Sequence, residues 1–478
     1  MKILLLLICL LMVSGIAAQP AFEEVLYGSD SYDVLTAARK LDDGSIILAG
    51  TTPLNGTGWQ DFYIEKLHQD DYNTLWSLSL GSPNWDEPRD ISITPDGGCL
   101  VAGAVRSGAN QPYDMIVAKI TAEGELEWSA NYGDSGNDMV IRIFADTDGA
   151  TLLGFTRPVE NERSDFRMLR IDSDGNELWH SDFGGDRDEM CLGADRAADG
   201  SFLLAGYTQS WESEDQDLYL AHVSADGTLL HEIYEVEEYP TIPYAVLAID
   251  GGFLVAGTVF RNPELEMPSP FLMQIDLEGN VVWRQEYLDG YFAEPRAMAI
   301  QGESIVLAGF AYDGGQPDGW VQWSDMNGDQ EEQWTVGGEG WEEFRAVIPI
   351  NDSEMMLAGF STSTDNHISD FYRVHLNQND VAKYSPVIMA QDYRLRNVYP
   401  NPFNNSAMIT FDTRRPVHLR LTMHDILGRE VIALNDRKVL AGEHHFIVNS
   451  EDLASGVYFV TALADGTPVA TVRLVHLK

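Results

Sequence analysis

A short phrase ending in glycine returns seven times along this chain. It reads Ile47-Leu48-Ala49-Gly50, Leu100-Val101-Ala102-Gly103, Leu152-Leu153-Gly154, Leu203-Leu204-Ala205-Gly206, Leu254-Val255-Ala256-Gly257, Val306-Leu307-Ala308-Gly309 and Met356-Leu357-Ala358-Gly359. Successive glycines stand 53, 51, 52, 51, 52 and 50 residues apart. Such a period marks one supersecondary unit that cannot bury its apolar face alone and must stack on copies of itself. A second marker keeps step: Trp76, Trp128, Trp179, Trp283 and Trp334, with His231 and Tyr384 in the two slots that lack tryptophan.

Each unit reads as four short strands, a to d, separated by turn chemistry. In the first unit these are Val34 to Leu41, Ser45 to Thr52, Asp61 to His68 and Thr74 to Leu80. Pairs such as Asp43-Gly44, Asp96-Gly97, Asp174-Gly175 and Asp199-Gly200 put glycine where a tight connection needs positive φ. Seven four-stranded units predict an all-β fold, a seven-bladed β-propeller over residues 22–390. An open solenoid has shorter periods and leaves sheet edges exposed. The segment Phe22 to Tyr27, followed by Gly28, matches the strand d ends at Leu80-Gly81 and Tyr132-Gly133, whereas the last unit's own d segment, Val381 to Met389, is degenerate. The N-terminal strand is therefore expected to close the ring by pairing in the last blade, or to compete with that segment for the place.

Units ending in tryptophan, as in Ile171-Asp172-Ser173-Asp174-Gly175-Asn176-Glu177-Leu178-Trp179, resemble the repeats of quinoprotein propellers and their non-catalytic scaffold relatives. The catalytic members of that family imply a cofactor-binding carboxylate cluster and, often, adjacent cysteines. Neither can be placed here, so no cofactor is expected. Tryptophan once per blade reads more simply as a wedge between neighbouring sheets.

Composition narrows the partners. The 75 Asp and Glu against 30 Lys and Arg give a net charge of -45, which repels nucleic acid and anionic lipid and favours cations, sugars or basic partners. Residues 1–18 carry Lys2, an apolar run from Ile3 to Val13, then Ser14, Gly15, Ala17 and Ala18, the pattern of a secretory signal peptide cleaved after Ala18. The run is too short to span a bilayer, and no later segment approaches spanning length, so no membrane span is expected in the mature chain. Cleavage removes Cys9; Cys99 and Cys191 lie two repeats apart and are expected to be free buried thiols.

Several strings imitate functional motifs. Gly133-Asp134-Ser135-Gly136 echoes a serine nucleophile loop, but no His and Asp partners stand in suitable contexts, so no catalytic residue is assigned. Asp172-Ser173-Asp174-Gly175 and Asp325-Met326-Asn327-Gly328-Asp329 resemble fragments of calcium loops, yet their glycine comes too early and no bidentate Glu follows. They fall in the c to d hairpins and read as turn-forming aspartates; no metal is expected.

One face is better suited to binding. The b to c loops are long and dissimilar (residues 52–60, 106–113, 157–164, 209–216 and 260–269), and the d to a connections open on the same side. There, 17 positions before the anchor glycine, stand Asp33, Asp86, Glu189 and Glu342, with Tyr32, Trp85 and Trp341 beside three of them. Strand a is innermost in a propeller, so these acids are expected to encircle the central channel. Arginines join them in Glu87-Pro88-Arg89, Glu294-Pro295-Arg296 and Glu343-Phe344-Arg345, where residues two apart share a strand face. The candidate ligand site is thus Tyr32, Asp33, Trp85, Asp86, Arg89, Arg296, Trp341, Glu342 and Arg345, a mixed-charge aromatic mouth; inter-blade salt bridges are the alternative use of the same charges. A further series, Asp61, Asp114, Asp165, Asp217 and Asp370, with Asp318 nearby, is too regular for a unique site and reads as fixing loops.

After Met389 the pattern stops. Alternating stretches Met408 to Phe411, Val417 to His424, His445 to Val448, Val457 to Ala462 and Val469 to Val475 indicate a small immunoglobulin-like β-sandwich over residues 391–478. Four motifs come in order: Pro400-Asn401-Pro402-Phe403, Asp425-Ile426-Leu427-Gly428-Arg429, Leu440-Ala441-Gly442-Glu443-His444 and Leu453-Ala454-Ser455-Gly456-Val457-Tyr458. Together they resemble the C-terminal sorting domain of type IX secretion; one departure is Arg473, at a position often held by Lys. The resemblance implies export across both membranes of a diderm bacterium, with the type IX machinery as partner and the protein released or held at the cell surface. The expected function is a secreted or cell-surface monomer that binds glycan, protein or matrix through its loop face. The alternative is a propeller enzyme, a glycan lyase or hydrolase or a quinoprotein, which requires paired carboxylates with pKa values driven apart.

Overall fold

The computed structural model describes residues 22–377 and 393–476. Excepted are 30, 54–59, 83, 107, 109–110, 160–162, 211–215, 236–238, 261–267, 288–291, 313–315, 339 and 364–367 in the first span, and 400–402, 405, 414–416, 426–428, 440–441, 450–452 and 465–466 in the second. The signal peptide, Tyr384, the Val381 to Met389 segment and most of the long b to c loops lie outside the described residues. Chain contacts divide the molecule into two units, Met1–Lys383 and Tyr384–Lys478.

In the first unit every repeat folds into an antiparallel four-stranded sheet, seven in all among the described residues. The first blade runs Val34–Lys40, Ile46–Thr52, Asp61–Leu67 and Thr74–Leu80, within a residue or two of the expected strands. Strand b is buried along nearly its whole length, and completely in the first and fifth blades, because sheets cover both its faces, which is why it reads as the continuous apolar phrase of the repeat. Strand d is outermost and half exposed.

Each junction between neighbouring blades holds its own core. Between blades six and seven it contains Trp323, Trp334, Phe344 and Tyr372. Between blades seven and one it contains Leu35, Leu48, Met356 and Phe371, so the ring is closed by packing. The outer tryptophans are inter-blade wedges, as expected: Trp76, Trp128, Trp179 and Trp283 each lie against the c to d glycine of the next blade, Gly124, Gly175, Gly227 and Gly328. The indole of Trp76 also donates to Ala122 O at 3.1 Å. They are half-buried rather than fully enclosed; Trp334 alone of the series is buried.

Closure uses the N-terminal strand. Phe22–Tyr27 pairs antiparallel with Asp370–Asn377 as the outer strand of blade seven, from Phe22 opposite Leu376 to Tyr27 opposite Phe371. The Tyr27 hydroxyl donates to Glu65, which is buried in the first blade, so the closing strand also ties the two ends of the ring together. Cys99 and Cys191 are free and buried, and burial pushes both thiols up to about 12.

The second unit is a two-sheet sandwich: Tyr393–Tyr399, Ser406–Thr413 and Gly442–Asn449 form one sheet; Val417–Asp425, Glu430–Val439, Gly456–Ala464 and Thr467–His476 form the other. All five expected strands are present; the alternation did not reveal Tyr393–Tyr399 and Glu430–Val439. Three separate stretches of chain meet at one edge. Phe403 packs against His476 with the rings tilted and their centroids 5.0 Å apart, and Ala454 O accepts from the Tyr458 hydroxyl at 2.8 Å and lies 3.0 Å from His476 Nδ1. Pro400, Asn401, Pro402 and Gly428 lie outside the described residues.

Candidate functional site

The seven innermost strands each carry a β-bulge, and at the same level. Register shifts by one between Leu35 and Ala37, Pro88 and Asp90, Val140 and Arg142, Cys191 and Gly193, Pro243 and Ala245, Pro295 and Ala297, and Phe344 and Ala346. The extra residues are Thr36, Arg89, Ile141, Leu192, Tyr244, Arg296 and Arg345. A bulge re-aims the side chain it inserts, and all seven line one central channel of about 380 Å³.

This explains the anchor glycine. The bulge presses the backbone of strand a against strand b, so that a Cβ at Gly103 would stand 2.1 Å from Glu87 O and one at Gly359 1.8 Å from Glu343 O. The repeat phrase is thus the sequence trace of the channel wall. Its signal was available: the bulged residue lies 13 or 14 positions before each anchor glycine.

Three arginines of the expected site, Arg89, Arg296 and Arg345, belong to this ring. Each pairs with the acid two residues before it: Arg89 with Glu87 at 3.2 Å, Arg296 with Glu294 at 2.5 Å and Arg345 with Glu343 at 2.9 Å. Arg296 also reaches Glu343 of the next blade at 3.5 Å. Arg296 lies over the Tyr244 ring at 4.7 Å and the Phe310 ring at 5.6 Å, and Arg345 over Phe360 at 5.3 Å. Trp341 packs between Phe310 and Phe360, so blades five to seven present one aromatic and cationic wall. Trp85 and Trp341 are 40% and 39% exposed and Tyr32 is 60% exposed, as a rim position requires.

The expected role of Asp33, Asp86 and Glu342 is corrected. They do not encircle the channel; all three are buried. Asp33 accepts from Ser29 N, Asp86 from Ser82 N and Glu342 from Gly338 N at 2.9 Å, and Glu189 does the same for Gly185 N at 2.7 Å. Strand a enters the sheet before the bulge, so these side chains turn outward beneath the d to a loops and hold them. The strand c series meets them there. Asp165 and Glu189 both approach Gly184, Asp318 and Glu342 both approach Gly337, and Asp33 and Asp370 both approach Gly28. A Cβ at any of these glycines would collide with a carboxylate, which is why glycine ends strand d.

Deeper in the channel are residues absent from the sequence-based site. Asp90, buried, takes Arg39 at 2.5 Å and Arg142 at 3.6 Å from the two flanking blades and accepts from Ile143 N at 3.0 Å. Asp195 accepts from Ala248 N at 2.8 Å across the next-but-one junction in the same manner. The inter-blade salt bridges anticipated as an alternative are therefore present alongside the open wall. The turn aspartates also behave as expected: Asp172 accepts from Asn176 N at 2.8 Å and Asp325 from Asn327 N at 2.8 Å.

Burial, then Glu189 and Asp182, push the Asp165 carboxyl up to about 6. Its folded pKa lies above that of an exposed aspartate, so its stabilising contribution is complete below about pH 4 and is lost as pH rises through 6. Asp165→Asn removes the charge. After allowance for solvent screening it is expected to gain about 1 kcal/mol at pH 7.5, a rise of about 2 °C in melting temperature. At pH 4.5 the gain should vanish, and thermal melts giving equal gains at both pH values would show that Asp165 is not the group responsible.

Residues 397–476 match the family model described as the secretion system C-terminal sorting domain. No curated protein matches the chain. Among solved structures, the chain is similar to the WD40 β-propeller domain of Doa1, 12% identical with a TM-score of 0.44 over 73% of this chain and 94% of that one. It is likewise similar to the β-propeller domain of the Trilobed protease from Pyrococcus furiosus, 12% identical with a TM-score of 0.44 over 76% and 99%. A third is YCF48 bound to D1 peptide, 10% identical with a TM-score of 0.45 over 75% and 96%.

Proposed function

We propose that this chain, which carries a type IX sorting domain at residues 397–476, is a secreted or cell-surface binding protein. Its propeller takes a ligand at the channel mouth, and residues 391–478 direct it across the outer membrane. The observation that carries the binding reading is the convergence of seven bulged side chains on one channel beside half-exposed aromatics. Bulges in a sheet are designed features that aim side chains, and a rigid ring with aromatic and arginine groups at its mouth suits recognition. Tyr32, Trp85 and Trp341 form the rim, Arg89, Arg296 and Arg345 the wall, while Asp33, Asp86 and Glu342 hold the loops. The carboxylates that line the channel, Asp90 and Glu343, are committed to ion pairs with arginine.

Two experiments test this. A glycan and peptide array probed with the mature protein should give a ligand whose binding is lost in Trp85→Ala and Trp341→Ala while both variants stay folded; binding that survives both changes removes the rim from the site. In a host with the type IX system, removing residues 391–478 should leave a folded propeller trapped in the periplasm. Its appearance at the cell surface would overturn the sorting role.

A further inference from the structure

Resting on the reading that the channel face binds, we infer that the channel is a receptor for a carboxylate attached to an apolar group: the C-terminal end of a peptide finishing in an aliphatic residue, or a free acid of the same chemistry. The ring of bulged residues is two-sided. Going round from blade six through seven, one and two it reads Arg296, Arg345, Thr36 and Arg89; the remaining arc, blades three to five, reads Ile141, Leu192 and Tyr244. Three cations on one side thus face the aliphatic Ile141 and Leu192 on the other across about 380 Å³, room for a terminal residue and not for a polymer, with the Tyr244 ring under Arg296 where the two arcs meet.

The cationic arc has donors to spare. A guanidinium offers five N–H groups, and the carboxylates near this arc are Glu87, Glu294 and Glu343, one beside each arginine with Glu343 shared. The buried Arg89 Nε has no hydrogen-bond acceptor among the described residues. Arg296 lies over the Tyr244 and Phe310 rings and Arg345 over Phe360, which confines both guanidinium groups to the channel wall, and a guanidinium so held suits a planar carboxylate in the two-pronged geometry arginine favours. Beneath the ring Asp90 is shared by two cations, Arg39 and Arg142, so it does not cancel the arc above it. The lining as a whole sets five arginines against Asp90 and Glu343, in a chain with 30 Lys and Arg and a net charge of -45. The apolar arc supplies the second requirement. Hydroxyls of a sugar acid set against Ile141 and Leu192 would lose water without replacing its hydrogen bonds, whereas an aliphatic group gains by burial there.

Calorimetry on the mature protein tests this with five probes: N-acetyl-leucine, its uncharged amide, hexanoate, glucuronate and inorganic sulfate. N-acetyl-leucine should bind at least tenfold more tightly than its amide, than glucuronate and than sulfate. Hexanoate binding as well as N-acetyl-leucine identifies a free acid as the source; weaker hexanoate binding identifies a peptide end. Arg89→Gln and Leu192→Gln, placed on opposite arcs, should each weaken N-acetyl-leucine at least tenfold with melting temperatures unchanged within 2 °C. Equal affinity for acid and amide, equal affinity for glucuronate, or no effect of either variant would overturn the inference. An array ligand whose binding survives Arg89→Gln and Leu192→Gln would leave the binding face standing and remove only the carboxylate assignment.

Discussion

Protein lacking Phe22–Tyr27 is expected to melt about 10 °C lower and to self-associate. The deletion strips a six-residue ladder from Asp370–Asn377, leaving that strand as an open edge with Phe371, Val374 and Leu376, now buried, next to solvent. It also removes the hydroxyl that satisfies Glu65, an acid 1% exposed, and the ring over which Arg373 lies at 4.8 Å. Lost backbone bonds, lost burial and a buried acid short of one donor together are worth about 5 kcal/mol, which in a domain of this size is about 10 °C. Tyr27→Phe separates the parts: it keeps the strand, removes the cross-junction bond, and should cost about 1–2 kcal/mol. Calorimetric melts with light scattering read both. A deletion variant that melts unchanged as a monomer would mean that packing between blades seven and one closes the ring unaided.

The second large effect is expected at Arg167. This side chain, 3% exposed, crosses blade three from strand c to contact Asp182 at 2.7 Å, Asp134 at 3.0 Å and Asp138 at 3.4 Å. The carboxylates outweigh the cost of its burial and hold its pKa above the ordinary arginine range. Asp138 is fully buried, and Asp165 with its raised pKa is close enough for Arg167 to lower it. Arg167→Met would leave these acids facing one another with their cation gone, at a loss of about 3–5 kcal/mol at pH 7. The sign of the pH effect distinguishes this from lost packing. Freed of Arg167, which lowers the pKa of both, Asp138 and Asp165 bind protons more readily in the folded state, so the deficit should shrink as pH falls from 7 to 5. Urea unfolding at both pH values is the measurement, and a deficit that does not change with pH would assign the loss to packing alone.

The role of Arg167 leaves no mark in the sequence, because its three partners are 15 to 33 residues away and belong to a different strand or to the loop between blades. By contrast the closing strand was legible, since Phe22 to Tyr27 followed by Gly28 copies a local pattern present elsewhere in the chain. The site residues fell between these cases. Arg89, Arg296 and Arg345 were found through their spacing from Glu87, Glu294 and Glu343, and Trp85 and Trp341 through their place beside repeat acids. Thr36, Ile141, Leu192 and Tyr244 were not found, because residues that share a level and not a chemistry leave no compositional mark.

Sequence by itself determined the number of blades, the four strands of each, the turn glycines, the candidate for the closing strand and the order of the sorting motifs. All are local, written in period-two alternation, in turn chemistry or in short motifs, and repetition amplifies them. Only the tertiary structure decided which side chains face the channel. That choice hangs on a single inserted residue in each innermost strand, and in a sheet a slip of one residue sends every following side chain to the opposite face. For this reason Asp33, Asp86 and Glu342 turned beneath their loops, while the residues three positions on, Thr36, Arg89 and Arg345, were brought to the wall of one channel.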